Sequence, residues 1–241
     1  MNANARPYII LNDVSSRSIQ GLLISELPPI SKPQQRIQTE TVDGRDGDIV
    51  TPLGYAAYDK LVKISLTYDY DIDDIIEFFN SSGKVIFSNE PEKYYKYAIY
   101  KQIDFESLIR FKTAKVNFHV QPFKYSDTET IKTFNFTGSN GSLTIRNNGN
   151  IYSRPTLKIT GSGVINLFIN GVQLLNISLN TNETIIIDAE TMNATSADGS
   201  TLLNRRVIGD YDNIKLKIGS NTISYNGTIS KILIDNYSRW I

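Results

Sequence analysis

Residues 164–178 read V-I-N-L-F-I-N-G-V-Q-L-L-N-I-S, and this stretch decides the fold class. Ile165, Leu167 and Ile169 alternate with Asn166 and Phe168, a period of two that belongs to a strand with one buried face. Asn170-Gly171 then interrupts the run, and Val172 to Ile177 resumes as a second apolar segment. A two-residue hairpin of type I′ needs positive φ at both central residues, and Asn-Gly tolerates that best. The stretch therefore predicts an antiparallel hairpin.

The same texture extends on both sides. Short apolar runs at 131–136, 142–146, 156–160, 183–188, 214–218, 222–225 and 228–234 read as strands. Three further Asn-Gly pairs, Asn140-Gly141, Asn148-Gly149 and Asn226-Gly227, fall between or beside them. Many short strands with turn signals imply an antiparallel sandwich or jelly roll for the second half. That half holds sixteen of the asparagines against six before residue 127, whereas ten of the fourteen tyrosines precede residue 126. The shift places a domain boundary near Pro122 and Ser126-Asp127-Thr128-Glu129, giving domains 1–126 and 127–241.

The first half is also mainly β, read as a sandwich or barrel-like domain with one helix. Val62, Ile64, Leu66 and Tyr68 share one face of a strand, residues 108–120 read as another, and 111–123 alternate. The helix follows Asp71, an N-cap residue, with Asp73 and Asp74 in the first turn where the dipole favours negative charge. Ile72, Ile75, Ile76 and Phe79 form its apolar face, and Gly83 is expected to end it. Pro28, Pro29 and Pro33 exclude a central strand at 27–33, because proline offers no N–H to a ladder. That segment reads as an extended arm. Residues 35–42 follow as an exposed or edge strand, and Asp43-Gly44-Arg45-Asp46-Gly47-Asp48 as a tight turn.

Composition narrows the functions. Charges balance at 25 basic and 25 acidic, so no basic stripe exists to grip nucleic acid. Without cysteine there is neither disulfide nor thiolate metal site. No apolar run approaches the roughly 20 residues that span a bilayer, and no membrane insertion is expected. Synthesis in the cytoplasm is the default for such an N-terminus.

Catalytic signatures are missing. The single histidine, His119, lies in an alternating strand with no G-x-S-x-G elbow, and reads as packed or solvated. Residues 43–48 fail the EF-hand pattern, since Arg45 falls at position 3 and Asp48 at position 6. The acidic run Asp71, Asp73, Asp74, Glu77 is explained by capping. Tyr94-Tyr95-Lys96-Tyr97-Ala98-Ile99-Tyr100 alternates, with Tyr95, Tyr97 and Ile99 on one face; core on one side and an interface on the other accounts for it, with ligand stacking as the alternative. No catalytic residue, cofactor or metal site is assigned, and the chain reads as a non-enzyme.

Two stretches carry a resemblance. Gly21 to Ile30, continuing through Val42-Asp43-Gly44-Arg45-Asp46-Gly47-Asp48-Ile49-Val50 to Leu53-Gly54-Tyr55, together with Phe118-His119-Val120-Gln121-Pro122-Phe123-Lys124-Tyr125, resembles the distal tail proteins of siphophages of Gram-positive hosts. Asn147 to Pro155 and Ile185-Ile186-Ile187-Asp188 resemble that family's C-terminal domain. The resemblance implies a structural hub: a hexameric ring between the tail tube protein and the tail-tip protein, in the virion at the distal end of the tail, made in the host bacterial cytoplasm. N-terminal domains would form the ring wall and galectin-like sandwiches would project from it. DNA would pass through the lumen without specific binding, and receptor-binding or other baseplate proteins would mount on the ring. Some relatives carry inserted carbohydrate-binding modules; the second half here has no insertion large enough for one. A carbohydrate-binding accessory module contacting the host cell wall is the alternative function.

A ring needs interfaces that close after a fixed rotation. The arm and the apolar-poor strand after it have little core of their own to bury. Pro28, Pro29, Pro33, Asp43, Arg45, Asp46 and Tyr55 are therefore the expected contacts with a neighbouring subunit. The prolines would lower the entropy lost on ordering the arm. The alternative is that the arm folds back on its own domain.

Overall fold

The computed structural model describes residues 6–241. It is mainly β with two short helices, and it divides into two compact units, one running through Asp127 and the other Thr128–Trp240.

In the first unit the strands are β1 (Ile9–Leu11), β2 (Val14–Ser15), β3 (Leu22–Glu26), β4 (Gln35–Thr41), β5 (Asp48–Tyr55), β6 (Tyr58–Leu66), β7 (Ser82–Phe87), β8 (Lys93–Ala98) and β9 (Thr113–Ser126). Seven of them form an antiparallel sheet in the order β2-β1-β7-β8-β9-β6-β3, while β4 and β5 pair only with each other. The alternation seen in the sequence sets the faces. Val62, Ile64 and Leu66 on β6 are buried with Val116, Phe118 and Val120 on β9 and Tyr95 and Tyr97 on β8.

Helix α1 (Ile72–Phe79) packs on that core through Ile75, Phe78 and Phe79. Asp71 caps it, its Oδ1 accepting from the Asp73 amide at 2.9 Å. Ile76 stays exposed and Phe78 is buried, so the apolar face is rotated from the expected one. The helix ends at Asn80. Gly83 lies inside β7 at φ 138°, where a Cβ would sit 2.2 Å from the Asn12 carboxamide oxygen. Close approach, not helix termination, calls for that glycine.

The expectation of a single helix needs correction. Residues 105–111 form a second helix, α2 (Phe105–Phe111), where a strand was expected from 108 onward. Asp104 caps it by accepting from the Ser107 amide at 2.8 Å, and Lys112 closes it in the left-handed conformation at φ 58°. Phe105 and Leu108, spaced i and i+3, turn toward the core. About two turns leave too short a period to stand out beside the alternating run that follows.

The second unit also departs from expectation. Four long strands replace the many short ones: β10 (Lys132–Asn147), β11 (Thr156–Ile169), β12 (Val172–Asp188) and, after β13 (Asn193–Ser196) and β14 (Val207–Gly209), β15 (Gly219–Asp235). They make one continuous antiparallel sheet, ordered β10-β15-β11-β12-β13 with β14 beside β12. Each long strand breaks register near its middle, and both halves feed one core: Leu157 and Ile159 join Ile165, Leu167 and Ile169.

Glycine makes those bends possible. A Cβ on Gly161 would lie 2.4 Å from the Thr228 carbonyl oxygen, and one on Gly227 2.4 Å from that of Val164. Of the Asn-Gly pairs, Asn170-Gly171 is the hairpin turn, with φ 51° and 84° and Ile169 facing Val172. Asn140-Gly141 and Asn226-Gly227 lie within strands, and Asn140 faces Asn226 in register. No helix among the described residues is long and apolar enough to cross a membrane.

Candidate assembly interface

Residues 27–34 run without sheet partners, and their carbonyls are claimed by side chains of the same unit. Asn89 Nδ2 donates to the Pro28 carbonyl at 3.0 Å, and Lys60 Nζ donates to the Pro29 carbonyl at 2.9 Å. Pro28 and Pro33 are buried, whereas Pro29 and Ile30 face solvent. The proline segment is thus folded back on its own unit, the alternative raised by the sequence, and only the segment after it projects.

That projecting segment is the β4–β5 hairpin. Its base is closed by the Ala56 amide donating to the Gln34 carbonyl at 2.8 Å. Every residue of β4 is exposed, and so is β5 from Asp48 through Leu53. Ile37, Val50 and Leu53 are each more than half exposed. At about 3.3 Å per residue the ribbon reaches roughly 25 Å. A two-stranded ribbon without a core is marginal in water, and this one leaves apolar side chains exposed. Asp43, Arg45 and Asp46 sit exposed at the tip, where Gly44 and Gly47 adopt φ 81° and 75°. No ion pair to Arg45 forms among the described residues, so the tip's charges are unspent.

Tyr55 lies at the other end, half-buried, its ring edge-on to Phe123 at 5.5 Å. Phe123 belongs to the Gln121-Pro122-Phe123-Lys124-Tyr125 motif, whose members point in different directions. Tyr125 stacks on Tyr94 at 5.5 Å. Lys124 turns inward and donates from Nζ to Glu90 Oε1 at 2.8 Å. Tyr95 donates its hydroxyl to Glu90 Oε2 at 2.6 Å. Lys60 Nζ lies 5.0 Å from the centre of the Tyr95 ring.

Two lysines and one glutamate thus form a buried charge network, tied to the proline segment through Lys60. Burial pushes the Lys60 ammonium down to about 8; Glu90 opposes that shift and Lys124 adds to it. Burial alone would push the Glu90 carboxyl up, but bonds from Lys124 and Tyr95 and the Lys60 charge outweigh it and hold the group below its usual value. Burial, then the bond to Glu90, drives the Tyr95 phenol well above its usual value.

Lys60, Asn89, Glu90 and Lys124 were not singled out from sequence. A signal existed for the lysines. Lys60 is in phase with Val62, Ile64 and Leu66, and Lys124 with Val116, Phe118 and Val120, so each is a cation at an inward position. Glu90 and Asn89 sit in the β7–β8 turn, where no period applies.

His119 lies across from Asp59 on the outward face of the β9–β6 pair. Its Nδ1 is 2.9 Å from Asp59 Oδ1 and 3.3 Å from the Tyr100 hydroxyl. Lys101 Nζ donates to Asp59 Oδ2 at 2.5 Å, and Asn117 Nδ2 at 3.1 Å. Lys101 first, then His119, hold the Asp59 carboxyl down at about 2. The Asp59–His119 pair ties β6 to β9 electrostatically. Among the described residues no three His, Cys, Asp or Glu side chains gather as a metal site would require.

Because the folded value of Asp59 lies below the unfolded one, its contribution is present above pH 4 and is lost as pH falls from about 4 to 2. A shift of that size is nominally about 2.5 kcal/mol, but water screens this exposed cluster to under ~1 kcal/mol. Thermal melts of wild type and Asp59→Asn should converge between pH 4 and 2. A constant gap down to pH 2 would refute the assignment.

No protein-family model and no curated protein sequence matches the chain. Solved structures do. The crystal structure of the Dit protein (gp 19.1) of phage SPP1, described as a paradigm of the hub adsorption apparatus in phages infecting Gram-positive bacteria, aligns with a TM-score of 0.63 at 15% identity, covering 98% of this chain and 100% of that one. A chain of the phage P2 baseplate in its activated conformation aligns in a calcium form at TM-score 0.51 and a strontium form at 0.53; each is 12% identical and covers 95% of this chain and 97% of the other. The likeness runs through both units and is one of fold.

Proposed function

We propose that this chain is a structural hub of a phage tail tip, its copies closing into a six-fold ring that joins the tail tube to the tail-tip protein and carries the adhesion apparatus. The full-length likeness to a hub protein of an adsorption apparatus carries this reading. The bare β4–β5 hairpin supports it physically, since an extended ribbon with no core of its own suits a neighbour's surface. Residues 1–126 form the ring wall in this scheme, with the exposed Asp43, Arg45 and Asp46 at the tip and Tyr55 at the root of the contact. Pro28, Pro29 and Pro33 hold the hairpin's approach. Residues 127–241 project as a galectin-like domain. The zero net charge suits a lumen through which DNA slides without being gripped.

The partners are further copies of the chain, the tail tube protein, the tail-tip protein and receptor-binding components, and the place is the distal end of the virion tail. Negative-stain electron microscopy of the purified full chain should show six-fold rings, alone or on mixing with its tail tube protein. Single particles of monomer mass under both conditions would overturn the proposal.

A further inference from the structure

The outward face of the β6–β9 pair carries a charge conflict. Lys63 and Lys115 stand directly opposite one another in register, and both are exposed. Like charges placed so across two strands repel and cost stability. Next to them Leu61, nearly half exposed, faces Asn117. A second lysine pair in this sheet, Lys84 opposite Lys96, is offset within the chain, because Lys84 Nζ meets Asp13 at 2.9 Å and Asp127 at 3.0 Å. The Lys63–Lys115 pair has far less cover. Lys63 Nζ lies 3.8 Å from Glu26, whose side chain is 72% exposed, and among the described residues no ion pair reaches Lys115. Asp59, further along the same face, is already engaged by Lys101 and His119.

The β4–β5 hairpin carries the opposite excess. Residues 40–48 hold Glu40, Asp43, Asp46 and Asp48 against Arg45 alone. All five are exposed, and none forms an ion pair among the described residues. Asp48 is oriented by the Thr41 hydroxyl, which donates to its Oδ1 at 3.0 Å. Val42 and Ile49 flank the acidic tip with exposed apolar side chains, as Leu61 flanks the lysines.

We infer that Lys63 and Lys115 of one copy receive the acidic hairpin tip of the next, an electrostatic contact that sets where the ribbon lands. The inference rests on the ring reading above and adds the receiving surface to it. Charge complementarity selects a second copy as the occupant. The ribbon pairs with no other strand of its own unit, so the acidic tip and the lysine pair are both left unmatched in one molecule. A head-to-tail contact repeated around a closed ring matches every tip with a lysine pair. Such complementarity fixes register and speeds encounter more than it adds affinity, while the ribbon's apolar side chains supply the burial. Two lysines are too few to grip a polyanion such as DNA.

The test is sedimentation velocity of the full chain, alone and with its tail tube protein, at ~0.05 M and ~0.5 M salt. Wild type should associate more tightly at the lower salt. Lys63→Glu/Lys115→Glu and Asp43→Lys/Asp46→Lys should each weaken self-association at least about tenfold, with melting temperature held, since all four positions are exposed. The four-fold variant, with the charges exchanged, should associate again. Wild-type assembly indifferent to both double variants would overturn this inference and leave the ring standing. Loss in both double variants without recovery in the four-fold one would overturn the pairing of these two surfaces. So would a lysine variant that loses only the tube protein, which would assign the patch to that partner. A wild type that stays monomeric in every condition would overturn the ring and this contact together.

Discussion

Glu90→Ala should destabilise the first unit by about 3–5 kcal/mol, more than any other single truncation at its surface-facing loops. Among the described residues Glu90 is the only acidic group bonded to buried Lys124, and it also offsets the charge of buried Lys60. Removing it leaves two ammonium groups out of water with no counter-charge, and leaves the Tyr95 hydroxyl without its acceptor. Glu90→Gln should cost nearly as much, because it keeps the volume and removes only the charge. Lys124→Met should be far milder, since Glu90 then still faces Lys60 and the methionine fills the space. Hydrogen exchange read at β8 and β9 isolates the first unit from the second. Protection in Glu90→Ala within about 1 kcal/mol of wild type would show that the network is not charge-balanced as described. The effect should reach the arm as well, because Lys60 holds the Pro29 carbonyl.

Excising the β4–β5 hairpin should separate folding from assembly. The Ala56 amide already bonds to the Gln34 carbonyl, so a two-glycine link can replace residues 35–55 without moving the ends. The strands removed pair only with each other, and the core of the first unit is untouched. The excised chain should melt within about 1 kcal/mol of wild type and yet elute as a monomer, with rings absent from micrographs. A cut through residues 28–42 would be a poorer experiment, because it would strip buried Pro28 and Pro33 from the unit. A subtler variant keeps the fold entire. Ile37→Asp with Leu53→Asp places charges where a neighbour would have to bury them, each forfeiting roughly 1.5–3 kcal/mol of apolar burial per subunit contact. Rings that survive both changes would remove the hairpin from the interface.

The period-two runs of β6, β9 and the β11–β12 hairpin were legible because each side chain's face follows from its own position along the strand. The α1 cap at Asp71, the Asn170-Gly171 turn and the glycine-bearing turn at 43–48 were legible for the same reason: backbone conformation there is set within a few residues. The exposed charges at the hairpin tip could be named from sequence, as could Tyr55 at its root. Lys60 and Lys124 could not be read as partners, although their inward phase was visible, because Glu90 reaches them from a turn with no periodicity of its own. Helix α2 was lost because seven residues hold too little of a helical period beside a long alternating strand.

The sequence by itself determined that the chain is mainly β, which residues of its alternating strands face the cores, and where its tightest turn must fall. Only the tertiary structure decided that Asn140-Gly141 and Asn226-Gly227 lie inside strands, that the proline arm folds home while the hairpin after it stands free, and that Lys63 faces Lys115. The physical reason is range. Alternation and φ preference act within a few residues, whereas a bend at Gly161 and Gly227, a lysine's counter-ion or a pair across strands exists only once segments distant along the chain have been brought side by side.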